Sequence, residues 1–178
     1  MVSKKLVSNE YRAILHEIHR TENWGIAARF WYFKDIVADV QKLGLTELLD
    51  YGAGAGRFKV GVKEKNLGFD VLEYEPGIMA FATNNKPRDY LVCCDVLEHV
   101  EPELLENVLN DMARCMKVAG FITTDSNPAT KTLPDGRNAH LIQEDHAWWD
   151  DMISRYFHIR DCEESEGHKI YYVECKHV

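Results

Sequence analysis

The sequence predicts an α/β fold, a doubly wound and mostly parallel sheet with helices on both faces, and three observations predict it. Short apolar runs alternate along the chain with stretches of helical hydrophobic spacing. A turn carrying Gly52, Gly54 and Gly56 follows the first of those runs directly. Asp50, Glu75, Asp95 and Asp125 recur near the ends of the runs, where open α/β sheets place their ligands.

Residues from about Glu10 to Leu43 place Tyr11, Ile14, Leu15 and Ile18, then Ile26, Phe30, Phe33, Ile36, Val37 and Val40, at helical spacing. Two helices broken near Asn23 to Gly25 account for them, and Gly44 ends the second. Glu47 to Tyr51 forms a buried strand, a helix spans about Arg57 to Asn66, and Phe69 to Tyr74 forms a second strand. The next strand is Tyr90 to Cys94, followed by a helix from Glu103 to Met116 and a strand from Gly120 to Thr124. Beyond an irregular stretch, Asp125 to Gln143, a helix from about Asp145 to Ser154 precedes closing strands near Tyr156 to Asp161 and Lys169 to Cys175. Without repeats or a Pro/Gly/Ser linker, residues 1–178 read as one domain, with helices over 1–45 and the layered core over 46–178.

A formal charge of -8 argues against an enzyme that holds long nucleic acid on a broad basic surface. Five cysteines, with Cys93 and Cys94 adjacent in an apolar run, make neither a disulfide framework nor a paired zinc motif. Packing in a central strand is their simplest role, with the Cys94 backbone near a ligand. No window approaches the ~20 apolar residues of a membrane span, and Met1 to Glu10 lacks a signal peptide's apolar stretch, so a cytoplasmic setting is expected.

Asp50, Tyr51, Gly52, Ala53, Gly54, Ala55 and Gly56 spell DxGxGxG between a strand and a helix. Glycines let the backbone turn and meet a ligand closely, while a helix amino end offers N–H groups. Their spacing departs from the GxGxxG dinucleotide fingerprint. This loop resembles the first motif of class I S-adenosylmethionine-dependent methyltransferases. Val71 to Pro76, VLEYEP, is similar to the second motif, whose acid holds the ribose hydroxyls; Glu75 matches best and Glu73 is the alternative. Asp89 to Val100, DYLVCCDVLEHV, resembles the fourth, with Cys94, Asp95 and Val96 beside the cofactor. The resemblance covers residues 47 to 125 and implies a Rossmann-like sheet that binds S-adenosylmethionine.

Only a dozen residues separate Pro76 from Asp89, too few for the helix, third strand and connection that the family places there. In the family's numbering the expected order is therefore 2-1-4-5-7-6. The missing edge strand takes with it the usual acidic contact to adenine, which leaves Met79 to Asn85 as a candidate wall.

Methyl transfer needs alignment of two partners and sometimes a base. Glu98, His99 and His140 are the candidate catalytic residues, with Glu98 and His99 opening the helix after the fourth-motif strand. Capping or pairing within the fold is the alternative role for those two. Asp95, Glu98, His99 and His140 are also a set that could bind a divalent cation. It is similar to the magnesium site of small-RNA 2′-O-methyltransferases of the Hen1 type, with Asp95 where that family has Glu.

Lys131 to His140 is polar and turn-rich, so it forms either a lid over the acceptor, with Arg137, Asn138 and His140 as contacts, or a solvated loop. Trp148 and Trp149 suit core and rim packing, and Trp24 and Trp31 suit packing or a cover over the cofactor. The resemblance as a whole implies methyl transfer to oxygen or nitrogen of a small molecule such as a sugar, nucleotide or metabolite. The alternatives are a nucleic-acid methyltransferase of the Hen1 kind and a non-catalytic cofactor-binding subunit. A monomer or small homo-oligomer without membrane contact completes the expectation.

Overall fold

The structure, a computed structural model, describes residues 4–21 and 24–176. The amino end at Met1 to Ser3 and the helix break at Asn23 fall outside them. Among the described residues, α1 (Asn9–Thr21), α2 (Ala27–Phe30) and α3 (Phe33–Leu43) precede the sheet. The expected second helix is thus two, with Trp31 and Tyr32 between them. Gly44 ends α3 in the left-handed conformation, φ 67°, and its N–H returns to the Val40 and Gln41 carbonyls.

The remaining elements follow the predicted alternation: β1 (Glu47–Tyr51), α4 (Arg57–Glu64), β2 (Asp70–Tyr74), β3 (Arg88–Cys93), α5 (Leu105–Cys115), β4 (Met116–Asp125), α6 (His146–Tyr156), β5 (Phe157–Glu164) and β6 (His168–Cys175). The strands form one six-stranded sheet in the order β2-β1-β3-β4-β6-β5. It is the expected order with the third strand absent. Strands β1 to β4 pair in parallel, and β6 is antiparallel to β4 and β5.

Side chains alternate across the sheet. Leu48, Tyr90 and Val92 pack with Ile36 and Val40 of α3 and Phe58 and Val62 of α4. Leu49, Leu91 and Cys93 turn to the other face, where Leu109 and Met112 of α5 and Trp149 and Ile153 of α6 cover them. Cys93 and Cys94 are buried packing residues, as expected.

The stretch between β2 and β3 contains only turns. It is tied to α5 rather than to a further strand: Asn85 donates to Asp111 at 2.8 Å, and its carbonyl accepts from Arg114 at 2.8 Å. Tyr51 donates to the same Asp111 at 3.0 Å. After β3 the chain makes two single 3-10 turns, Leu97–His99 and Pro102–Leu104, before α5 begins. Glu98 and His99 therefore sit on an isolated turn and do not open the long helix.

Candidate active site

A cavity of about 620 Å³ lies at the carboxyl ends of β1, β2, β3 and β4. Its floor includes Gly52 of the glycine turn, in which Gly52 has φ +83°, Gly54 φ +49° and Gly56 φ +69°, all in the left-handed region that side chains avoid. Space forbids side chains there as well. A Cβ on Gly52 would lie 2.3 Å from the Val96 side chain, and one on Gly56 2.2 Å from Glu73 Oε1. The Gly52 and Ala53 N–H groups donate to the Tyr74 carbonyl at 2.8 and 3.0 Å, which locks the turn to the end of β2.

Of the predicted cofactor residues, Tyr51, Gly52, Glu75, Cys94, Asp95 and Val96 line the cavity. Asp50, Ala53, Gly54, Gly56 and Glu73 do not line it. Asp50 is buried beneath the turn, and burial together with the neighbouring Glu73 and Glu75 carboxylates raises its pKa to about 8. Glu73 pairs with Lys59 at 2.8 Å, away from the cavity. Glu75 instead faces inward, accepts from the Gly54 and Gly77 N–H groups at 3.3 and 3.0 Å, and contacts His19 Nε2 at 3.3 Å. Between the two acids left open by the sequence, only Glu75 reaches the cavity.

The amino-terminal segment makes the roof. Tyr11, Leu15 and His19 of α1 line the cavity, and Ser8 N–H donates to Glu101 at 2.7 Å, which fastens the start of that segment to the second 3-10 turn. Trp24 approaches His99, with ring centroids 5.0 Å apart, and Trp31 lines the mouth at 61% exposure. Neither indole belongs to the buried core. The candidate adenine wall at Met79 to Asn85 is corrected: Met79 is 87% exposed, and no residue from 79 to 85 lines the cavity. The α1 residues occupy that side. Their helical apolar spacing was visible in the sequence but did not reveal which surface they cover.

The catalytic candidates do converge. Ligand atoms of Glu98, His99 and His140 lie within 4.8 Å of one another, and all three residues line the cavity. Asp95 does not join them: it has φ +53°, its N–H donates to the Thr123 hydroxyl at 2.9 Å, and that hydroxyl donates back to its carboxylate at 2.5 Å. Burial raises Asp95 and pushes Glu98 far above the ordinary carboxylate range. Burial also lowers His99 to about 4, against a hydrogen bond to the Ala139 carbonyl that favours the charged form.

The loop after β4 is anchored rather than free. Thr132 and Asn138 form an isolated bridge, and Leu133 and Ala139 pack on α1. Arg137 is corrected as an acceptor contact, because it turns to Asp135 and the Tyr11 ring. Asn138 is corrected likewise: its side chain bonds the Ala129 N–H and carbonyl and the His140 N–H. Lys131, Ala139 and His140 are the members of the predicted stretch that line the cavity, joined there by Thr130. His168, which the sequence reading passed over, also lines it, and its Nε2 is 3.7 Å from Asp125. Its position at the start of β6, antiparallel to the end of β4, is the signal that could have placed it.

No protein-family model matches the chain, and no curated protein matches it in sequence. Solved structures do match in fold. A 1,6-didemethyltoxoflavin-N1-methyltransferase of Burkholderia thailandensis, with bound 1,6-didemethyltoxoflavin and S-adenosylhomocysteine, is 14% identical over 98% of this chain and 93% of its own, with a TM-score of 0.64. A SAM-dependent methyltransferase of Aquifex aeolicus is 15% identical over 90% and 98%, at 0.55. The methyltransferase domain of bacterial CtHen1 is 11% identical over 79% and 96%, at 0.59. The chain therefore has the fold of class I S-adenosylmethionine-dependent methyltransferases.

Proposed function

We propose that the protein is an S-adenosylmethionine-dependent methyltransferase that acts on an oxygen or nitrogen of a small polar acceptor. The carrying observation is that Tyr51 and Gly52 of the DxGxGxG turn, together with Glu75, line the same cavity as Glu98, His99 and His140. On this reading the cofactor's amino-acid and ribose portions lie along Gly52 and Glu75, and its base lies toward Val96. The glycine turn, Asp50 and Glu73 shape that surface from behind. The methyl group then faces the Glu98, His99 and His140 side of the cavity.

Transfer forms one bond from the acceptor atom to the methyl carbon and breaks the carbon–sulfur bond, leaving a neutral thioether. The acceptor's proton goes to a protein group. His99, lowered to about 4, is a weak base and suits positioning through its neutral ring. His140 faces the same space and remains as the proton acceptor, whereas burial favours the protonated form of Glu98.

Enclosure under α1 and the charge of -8 favour a small acceptor over long nucleic acid. Among the described residues no helix is long and apolar enough to cross a membrane, and all five cysteines are free thiols. A reducing, cytoplasmic setting accords with those thiols, and a monomer or small homo-oligomer completes the reading. Calorimetry with S-adenosylmethionine and S-adenosylhomocysteine, followed by an acceptor screen with labelled methyl donor, tests it. Binding of neither compound overturns it, and binding without transfer to any acceptor would favour the non-catalytic alternative.

A further inference from the structure

Glu98 is fully buried, and among the described residues no side chain bonds its carboxylate; the backbone N–H groups of Glu98 and Asp125 lie near it without a hydrogen bond of full geometry. A buried carboxylate so weakly bonded is costly unless a proton or a cation neutralises it. What surrounds it favours a cation. His99 and His140 bring ring nitrogens into the same space, within 4.8 Å. The Nδ1 of His99 lies 2.7 Å from the Ala139 carbonyl, and that of His140 2.5 Å from the Asn127 carbonyl. Carbonyl oxygens only accept, so each Nδ1 carries a hydrogen and Nε2 is the ring nitrogen left to meet a ligand. Metal-binding imidazoles are oriented in this way by their outer partners.

We propose that Glu98, His99 and His140 bind one divalent cation of the first-row transition series through one carboxylate and two imidazole nitrogens. The site departs in two ways from the magnesium site that the sequence resemblance implied. Thr123 engages Asp95 and takes it out of the ligand set. Two nitrogen donors with a single carboxylate then suit zinc, manganese, iron or cobalt, whereas magnesium prefers oxygen ligands. Asn138 and the Asn127 carbonyl position His140, and the Ala139 carbonyl positions His99.

Three protein ligands leave coordination positions open toward the cavity. A cation there would take the His140 nitrogen out of use as a proton acceptor and would instead polarise an acceptor oxygen, so that its proton is lost to water. That consequence rests on the proposed methyl transfer; the binding itself does not.

The test uses the full chain freed of metal by chelator and titrated with cobalt(II), read by its visible absorption. One equivalent is expected to give ligand-field bands, which zinc removes and an equal concentration of magnesium does not. Glu98→Gln keeps the residue's shape, leaves a neutral group where burial disfavours charge, and should fold with an undiminished melting temperature. It and His140→Ala are each expected to weaken cobalt binding roughly a hundredfold, at or above the ~10–100-fold effect typical of outer partners. Substoichiometric cobalt binding, displacement by equal magnesium, or unchanged affinity in folded Glu98→Gln would overturn the proposal. S-adenosylmethionine affinity measured on the same samples separates the two readings. Cobalt binding without cofactor binding retains the cation site and removes the methyltransferase, and the converse result overturns the cation site.

Discussion

The backbones of Gly25 and Gly54 meet face to face: a Cβ added to Gly25 would lie 2.4 Å from Gly54 Cα, and one added to Gly54 would lie 2.5 Å from Gly25 Cα. Both residues also have positive φ, +73° and +49°. The chain entering α2 thus rests directly on the glycine turn. Alanine at either position incurs about 1 to 2 kcal/mol from the left-handed backbone alone, and the contact must open besides. Gly25→Ala and Gly54→Ala are each expected to lower the melting temperature by at least about 3 °C and to abolish calorimetric binding of S-adenosylmethionine. Gly136→Ala, with positive φ but nothing near its Cβ, should leave that binding intact.

Glu75 and Glu73 sit two residues apart yet face different surroundings. Glu75 accepts from two backbone N–H groups and faces the cavity, whereas Glu73 pairs with the partly exposed Lys59. Hydrogen bonds to a charged group contribute about 1.5 to 3 kcal/mol, while a partly exposed ion pair contributes about 1 kcal/mol or less. Glu75→Gln is therefore expected to weaken S-adenosylmethionine binding roughly tenfold or more. Glu73→Gln should change it less than threefold or so on the same scale. Equal losses in the two variants would show that the ribose contact has been placed on the wrong acid.

These two sites also show which parts of the structure the sequence could reveal. The glycine spacing has a local cause, a tight turn after a strand, so it could be read directly. The strand order followed from chain length, because twelve or so residues cannot hold a helix and a strand. The roof could not be read, because Tyr11, Leu15 and Ile18 have the same helical spacing whether they cover a sheet or a cavity. The Met79 to Asn85 stretch was misplaced for a related reason: its polar turns carry no sign that Asn85 is bound to α5. Asn138 is polar and near the acceptor side, but its side chain satisfies its own loop, as short amide side chains often do.

That loop bonding gives Asn138 a positioning role that can be separated from chemistry. Its Oδ1 holds the His140 N–H at 2.9 Å and the Ala129 N–H at 3.0 Å, and its Nδ2 donates to the Ala129 carbonyl at 2.8 Å. Removing the side chain leaves partly buried donors unpaired, at about 1 to 3 kcal/mol for a buried group, and releases His140. Asn138→Ala is expected to reduce turnover roughly tenfold or more with cofactor affinity unchanged. Asn138→Asp retains the Oδ1 acceptor and should recover part of that loss. A drop in cofactor affinity instead of turnover would place the loop on the wrong side of the cavity.

Asp50 and His99 load the fold from opposite ends of the pH scale. Asp50 has its folded-state pKa raised from 3.8 to about 8, so between those values the unfolded chain releases a proton that the folded chain keeps. Its contribution is neutral below about pH 4, becomes progressively destabilising as pH rises toward 8, and is constant above. His99 has its folded-state pKa lowered from 6.5 to about 4, so protonation favours the unfolded chain as pH falls through that window. Its contribution is neutral above about 6.5, and its penalty grows down to about 4. Asp50→Asn removes the first penalty. Its melting temperature relative to the unsubstituted chain should therefore rise from pH 5 to pH 8 and level off above. The reverse sequence identifies a stability effect of His99→Gln, which is expected to be largest near pH 4 and to vanish above pH 7. Thermal unfolding of both variants across pH 4 to 9 measures the two slopes, and a pH-independent offset in Asp50→Asn would mean that its carboxyl is ionised in the fold throughout this range.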